Sequence, residues 1–334
     1  INNVPVKENY RTNIIGNLLT SKTEFEIIVD ERFVDDETGE LNPDLVVGVW
    51  DGVQKEEPSL VDGYYEIYTA AQWAWLKGKN LNGNNIRIMS NIDFGGHEIK
   101  GLGFKGEFDG NDFTMSNFIA QPGGSAYSNG LFQGDASGEV TVKDLTVKNA
   151  VSKCSDPSYG YAGVLFGDIQ HNVTLENVHV YNAEVEGVQS VGGLVGFVAS
   201  GKKLTLKNCS VNDSELSNIP VVNESGFVAG LAGRVVGTVD FDADTKVKNV
   251  TIDAFYAESR GESSIQPTVA YNDNSITAQA AYTNVKITKH ALSNTQETID
   301  TQAEFEAALA EGGLILLGKL AQTKADDAAY TWKN

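Results

Sequence analysis

Leu204-Thr-Leu-Lys-Asn-Cys-Ser-Val211 alternates apolar and polar side chains and then breaks its own alternation. Leu204 and Leu206 share one face of an extended chain, and so do Cys209 and Val211, but the step from 206 to 209 is odd. Successive strand residues point to opposite faces, so one flat strand cannot hold all four on one side. Asn208 therefore marks a corner between two short strands that both aim apolar groups inward. Asn suits that place because it tolerates left-handed backbone and hydrogen-bonds locally.

The phrase recurs as Met89-Ser-Asn-Ile-Asp-Phe94, Met115-Ser-Asn-Phe-Ile-Ala120, Val142-Lys-Asp-Leu-Thr-Val147, Leu175-Glu-Asn-Val-His-Val180, Val247-Lys-Asn-Val-Thr-Ile252 and Tyr282-Thr-Asn-Val-Lys-Ile287. Its pivots are Asn91, Asn117, Asp144, Asn177, Asn208, Asn249 and Asn284, at steps of 26, 27, 33, 31, 41 and 35 residues. A repeat of that period means stacked coils. Asn side chains on successive coils can bond one another in a ladder. The expected fold is all-β: a single-stranded, right-handed parallel β-helix with short capping helices, its coils about 4.8 Å apart. The seven pivots are then scaffold, and the 41-residue step marks the largest insertion.

A second element precedes most copies: Asn129-Gly-Leu-Phe-Gln-Gly134, Ala162-Gly-Val-Leu-Phe-Gly167, Gly192-Gly-Leu-Val-Gly196 and Ala229-Gly-Leu-Ala-Gly233. Its Leu is the inward anchor, and its glycines allow close approach of backbone between coils. The copy over 250–285 lacks it. Thr69-Ala-Ala-Gln72 fits a capping box ahead of a short helix with Ala70, Trp73 and Ala74 on its apolar stripe, ended by Gly78. Thr301-Gln-Ala-Glu304 repeats that grammar, followed by Phe305, Ala308 and Leu309, Gly312-Gly313 and an apolar run over 314–317. Three regions result: extended strands and an acidic linker over 1–62, the β-helix over 63–292, and a helix plus strand over 293–334 that caps the solenoid or starts another module.

The whole chain has 334 residues, 41% of them apolar, and a net charge of −20. That charge argues against nucleic acid and against an anionic membrane surface as partner. No apolar stretch approaches the roughly 18–20 residues of a membrane span. The chain starts at Ile1 without Met or an apolar leader, as expected of a processed or truncated piece. Cys154 and Cys209 make no disulfide framework, and Cys209 fills an apolar slot of the repeat.

The Gly-Leu-x-Gly element, together with Phe104-Lys-Gly-Glu-Phe-Asp-Gly-Asn111-Asp-Phe-Thr-Met-Ser-Asn117, resembles the GLUG repeat of bacterial surface and adhesin-like proteins over roughly 65–290. Val4-Pro-Val-Lys-Glu-Asn-Tyr-Arg-Thr-Asn-Ile-Ile-Gly-Asn-Leu-Leu-Thr20 is similar to the last strands of the fimbrillin-like sandwich of Bacteroides-type surface proteins. The resemblances imply export, a cell-surface or outer-membrane location and a role in adhesion or fimbriae. The partners implied are a host or cell-surface protein or glycan, or other fimbrial subunits. Residues 1–30 are then a sandwich remnant or a strand offered to a neighbouring subunit.

β-Helices also carry polysaccharide lyases and hydrolases, whose sites use two or three carboxylates. The candidates here are Asp93, Asp109 and Asp112, each with a plainer reading in a turn or on a solvated strand. His97, His171, His179 and His290 form no ligand spacing. No cofactor is expected. Ca2+ is the one ion that an acidic solenoid could take, yet the runs 35–37 and 240–244 lack the spacing of a binding loop. Tyr159, Tyr161, Phe255 and Tyr256 are read in excursions between coils, where they could stack on a sugar ring or cover the solenoid's side. The favoured expectation is a non-catalytic adhesin or fimbria-associated module that binds through lateral loops at 153–162 and 213–226. The alternative is a carbohydrate-active or glycan-binding β-helix.

Overall fold

The computed structural model of the chain describes residues 50–292 apart from 82, 123–126, 134–137, 222–225, 258–260 and 272–278. The chain divides into two units, Ile1–Gly48 and Val49–Asn334, and the described residues lie in the second. The extended segments expected over 4–20 and 24–30 and the second helix and strand over 301–317 lie outside the described residues.

The described chain is a parallel β-helix. Each full coil visits five short faces. The first stacks Tyr64–Ile67, Asn85–Ile88, Gly106–Asp109, 140–143, 173–176, Lys203–Lys207 and Thr238–Phe241 in parallel register. The second and third faces follow without a loop: 145–148 and 150–153 are the continuation of one strand, Val140–Lys153. A fourth face stacks Ser128–Asn129, Tyr161–Gly163, Ser190–Gly192, Phe227–Ala229 and Ile265–Gln266. A fifth stacks Phe166–Ile169, Val195–Val198, Ala232–Val235 and Val269–Tyr271.

Register turns the sequence alternation into columns of core residues. Ile92, Met115, Val147, Val180, Val211 and Val247 lie above one another on the second face and are all buried. Each side chain removed from water in this way contributes about 1.5–3 kcal/mol. The lower coils fill the wider core with rings: Trp73, Phe94, Phe108 and Phe132 meet edge-on or tilted at centroid distances of 4.9–6.1 Å.

Two ladders, not one, make the corners between the first three faces. The first corner is Asp144, Asn177 and Asn208, and the second is Asn117, Asn149, Asn182, Asp213, Asn249 and Asn284; all have left-handed φ between 49° and 58°. In the first, Asn177 Nδ2 donates to Asp144 Oδ1 (2.9 Å), Asn208 Nδ2 donates to Asn177 Oδ1 (3.0 Å), and Asp242 accepts the Asn208 backbone N–H (3.0 Å). In the second, Asn117 donates to Asp93, Asn149 to Asn117, Asn182 to Asn149, Asn249 to Asp213 and Asn284 to Asn249, at 2.8–3.4 Å.

The expectation of a single file of seven pivots is therefore corrected. Asp144, Asn177 and Asn208 belong to one file; Asn117, Asn249 and Asn284 belong to the other. Asn91 joins neither ladder and is not left-handed: its Oδ1 accepts the Thr114 backbone N–H at 2.9 Å. The two corners of a coil stand 5 residues apart, as at 144 and 149, 177 and 182, and 208 and 213. The 41-residue step to Asn249 is thus a 36-residue coil counted from Asp213 plus that 5-residue offset. It marks no unusual insertion.

The opposite side turns on glycine. A Cβ on Gly193 would collide with the Gly230 carbonyl oxygen and reach the Val211 methyls at 2.9 Å. Leu165 N–H donates to Leu194 O, Leu194 to Leu231 O and Leu231 to Thr268 O at 2.8–3.0 Å, so the anchor residues carry a backbone ladder of their own. The copy without Gly-Leu-x-Gly completes its coil with Pro267-Thr268 in that place.

At the lower end α1, Ala70–Leu76, covers the core. Thr69 Oγ1 accepts the Gln72 N–H, while Gln72 Oε1 accepts the Tyr68 N–H. Trp73 and Leu76 are buried, and Gly78 takes left-handed φ just beyond the end.

Candidate functional site

The four aromatic residues singled out from sequence fall in two places. Tyr159 and Tyr161 lie at the turn from the third to the fourth face. Only Tyr159 is in a loop; Tyr161 opens the strand Tyr161–Gly163. Phe255 and Tyr256 are not in an excursion at all. They sit inside the strand Thr251–Ala257 on the third face, which runs longer than its counterpart Glu184–Gly187 one coil beyond its neighbour. Phe255 is held there by one side chain of the neighbouring coil, its N–H donating to Asn218 Oδ1 (2.7 Å) and its carbonyl accepting Asn218 Nδ2 (2.8 Å). Its ring stacks on His290 at 4.7 Å, and His290 in turn meets Asp253 Oδ1 at 2.7 Å.

The turn at Tyr159 is the more elaborate arrangement. Asp156 Oδ1 accepts the N–H groups of Ser158 and Tyr159, which shapes the loop. Tyr127, Tyr159 and Tyr161 form a triangle with centroids 5.5–6.0 Å apart. Tyr161 is 6% exposed and Tyr159 is 50% exposed, so the first is a floor and the second a rim. Burial pushes the Tyr161 hydroxyl up to about 12, with the nearby Arg234 guanidinium opposing the shift. The ring lies flat on Phe197 from the coil above, at 4.8 Å and 19°.

Arg234 extends this patch by another coil. Asp168, Phe197 and Arg234 are in register on the fifth face. The guanidinium lies 5.5 Å from the Phe197 centroid and 5.6 Å from that of Phe227. Its Nη1 donates to Gln189 Oε1 (3.1 Å), and Gln189 Nε2 donates to the Ser158 carbonyl (3.1 Å). Three successive coils are thereby tied into one wall of ring faces, an amide and a cation. Tyr127, Phe197, Gln189 and Arg234 were not singled out from sequence. Their one signal is register: 161, 190 and 227 share a column, as do 168, 197 and 234.

The acid candidates do not converge. Asp93 starts the second ladder and also accepts the Gly95 N–H. Asp112 is a left-handed corner residue. Asp109 accepts the Asn111 N–H and meets Arg87 Nε at 3.3 Å and Lys143 Nζ at 3.8 Å. Glu107 stands nearby, with Lys143 Nζ at 3.1 Å and the Tyr64 hydroxyl donating at 2.8 Å. Burial works against the Glu107 carboxylate, but the bonds from Tyr64 and Lys143 outweigh it and hold its pKa below the ordinary value. The same bond from Lys143 raises the lysine. Neither group is poised to exchange a proton near neutrality, so this cluster is an ion-paired clasp between coils.

Of the acidic run at 240–244, Asp240 pairs with Lys203 at 2.5 Å and Asp242 caps the first ladder while accepting Thr245 N–H and Oγ1. His179 is held between Ser210 Oγ (2.8 Å) and Asn177 Oδ1 (3.0 Å), and burial lowers its pKa. Both cysteines are buried thiols rather than a disulfide, and burial raises both, Cys209 to about 11. The expected contact loop at 213–226 contains the corner Asp213 and the strand Glu215–Asn218, so its loop portion begins only at 219.

A family of unknown function, DUF6562, matches residues 1–69, about a fifth of the chain. No curated protein matches. A solved structure from Bacteroides ovatus, provisionally described as an immunoglobulin A1 protease, is similar at 18% identity over 72% of this chain and 87% of that one, with a TM-score of 0.38. At that level the likeness decides neither fold nor activity.

Proposed function

We propose that this chain is a non-catalytic binding module exported to a bacterial surface, an adhesin or a fimbria-associated protein, and that its contact surface is the rim built on Tyr127 and Tyr159. The ligand class is a host or neighbouring-cell glycan or glycoprotein. The observation that carries the reading is the half-exposed Tyr159 ring seated on a buried, interlocked aromatic floor. A rigid aromatic face beside an arginine and an amide suits the apolar face and hydroxyl groups of a sugar ring. The sequence resemblance to GLUG-repeat and fimbrillin-like surface proteins supports export. The pairing of Asp109 and Glu107 with Arg87 and Lys143 weighs against the hydrolase or lyase alternative.

A glycan array carrying neutral and acidic oligosaccharides tests the reading with the full chain and its Tyr159→Ala variant. Binding by the parent that falls about tenfold in the variant is expected, the loss of one stacking contact worth about 1.4 kcal/mol. Equal binding by both proteins would remove the rim from the account. Release of reducing ends or unsaturated sugar from any bound glycan would replace it with the enzymatic alternative.

A further inference from the structure

The first ladder carries an imidazole on its flank and decides where that imidazole holds its proton. An ionised Asp144 can only accept, so Asn177 turns its Nδ2 toward it (2.9 Å) and its Oδ1 away. Asn177 Oδ1 accepts Asn208 Nδ2 and also faces His179 Nε2 at 3.0 Å, so Nε2 must carry a hydrogen. A separate set of bonds fixes the other ring nitrogen. Asn212 Nδ2 donates to the Val180 carbonyl (3.2 Å) and to Ser210 Oγ (2.9 Å). The Ser210 hydroxyl then has its own hydrogen to give, and it meets His179 Nδ1 at 2.8 Å. Nδ1 is therefore bare. Both sets of bonds require one state, the neutral ring with Nε2–H.

A second proton has no good place here. On a protonated Nδ1, Ser210 Oγ would accept from both His179 and Asn212, and its own hydrogen would lose its acceptor. Ser210 is buried, so water cannot replace that acceptor, and a buried donor without a partner is costly. In register with His179 lie Thr146 below and Ser210 above, neither of them charged. The ionisable groups around them are Lys148 and Tyr181 one step along the face, Lys246 and Lys248 on the coil above Ser210, and Asp144 and Asp242 at the ends of the first ladder. Burial, with Lys246 adding to it, holds the imidazole below the ordinary histidine value.

We propose that Asn177, His179 and Ser210 form an acid-sensitive latch between neighbouring coils, which holds while the imidazole is neutral and opens when Nδ1 takes a proton. The part that loosens is the strand Ser210–Asn212 and, through Asn177, the ladder rung to Asn208. A histidine with a lowered folded pKa stabilises the fold above its unfolded value of about 6.5. That stability is lost as pH falls from there through the lower folded value. The latch is independent of whatever ligand the Tyr159 rim takes.

Nitrogen NMR of the imidazoles in the full chain reads the latch directly. At neutral pH His179 shows Nε2–H with a bare Nδ1. In Ser210→Ala its titration midpoint moves up by at least about half a unit, because no hydroxyl then needs Nδ1 as acceptor. Hydrogen exchange, corrected for its intrinsic pH dependence, supplies the second readout. Amides of 208–213 exchange at least about threefold faster at mildly acid than at neutral pH in the parent, but not in His179→Gln. Comparison with that variant removes the contribution of the other histidines. An Nδ1–H tautomer, a midpoint that does not rise in Ser210→Ala, or equal pH dependence in parent and His179→Gln overturns the inference. If His179→Gln does not fold, the tautomer and the Ser210→Ala midpoint decide alone.

Discussion

The side of the solenoid that turns on asparagine and the side that turns on glycine solve one problem in opposite ways. On the asparagine side the corner is satisfied from outside. Each left-handed residue extends an amide or carboxylate to the next coil, and the two corners keep a constant separation from coil to coil. On the glycine side the backbones of the fourth and fifth faces approach so closely that no side chain fits between them. Length varies most at the entry of that second side, between the third and fourth faces, where one coil uses the Asp156–Tyr159 loop and the next passes directly through Val188 and Gln189. A regular side and a variable side result. The regular side is scaffold, and the variable side is where a ligand can be met.

The sharpest way to break this contrast is to put a side chain on the glycine side. Gly193→Val forces a branched side chain onto the Gly230 carbonyl and Val211. About 3 kcal/mol of stability should be lost, the upper range for overpacking. Denaturant unfolding measures it, and a loss under 1 kcal/mol would mean that the coils can spread there.

On the asparagine side Asn177→Ala should cost about 2 kcal/mol, from a left-handed backbone without asparagine and from the lost ladder bonds to Asp144 and Asn208. Asn177→Gly relieves the backbone but not the ladder, so it should recover part of the loss. Full recovery would show that the ladder itself adds little.

A smaller effect is expected from pH. Burial is the largest single influence on the Asp242 carboxylate and opposes its charge, but the Asn208 N–H and the Thr245 hydroxyl and N–H together outweigh it and hold its pKa below the ordinary value. A depressed folded pKa stabilises above the unfolded pKa, and that contribution is lost as pH falls through the folded value. Melting temperature should therefore drop more steeply below pH 4 in the parent than in Asp242→Asn. Parallel pH profiles would remove Asp242 from the first ladder's top.

Much of this fold was legible from one stretch. The odd step from Leu206 to Cys209 required a corner, and the recurrence of that corner required stacked coils. What stayed hidden was that each coil has two such corners. Val147-Lys-Asn-Ala150 satisfies the same apolar–polar–Asn–apolar template as Leu175-Glu-Asn-Val178, so the pattern cannot say which corner it reports. Only hydrogen-bond register separates Asn149 from Asn177. The burial of Tyr161 was hidden for a related reason: Phe197, the ring that lies on it, arrives from the next coil, and stacking register is set by loop lengths that composition does not encode. Phe255 and Tyr256 looked like loop residues because the third face lengthens locally in Thr251–Ala257.

The division between scaffold and rim is tested most directly by comparing Tyr159→Ala with Asn177→Ala on the same glycan array, each alongside its melting curve. If that division holds, Tyr159→Ala melts like the parent and loses about tenfold in binding, while Asn177→Ala melts lower yet binds like the parent while folded. Loss of binding in folded Asn177→Ala together with full binding by Tyr159→Ala would contradict it.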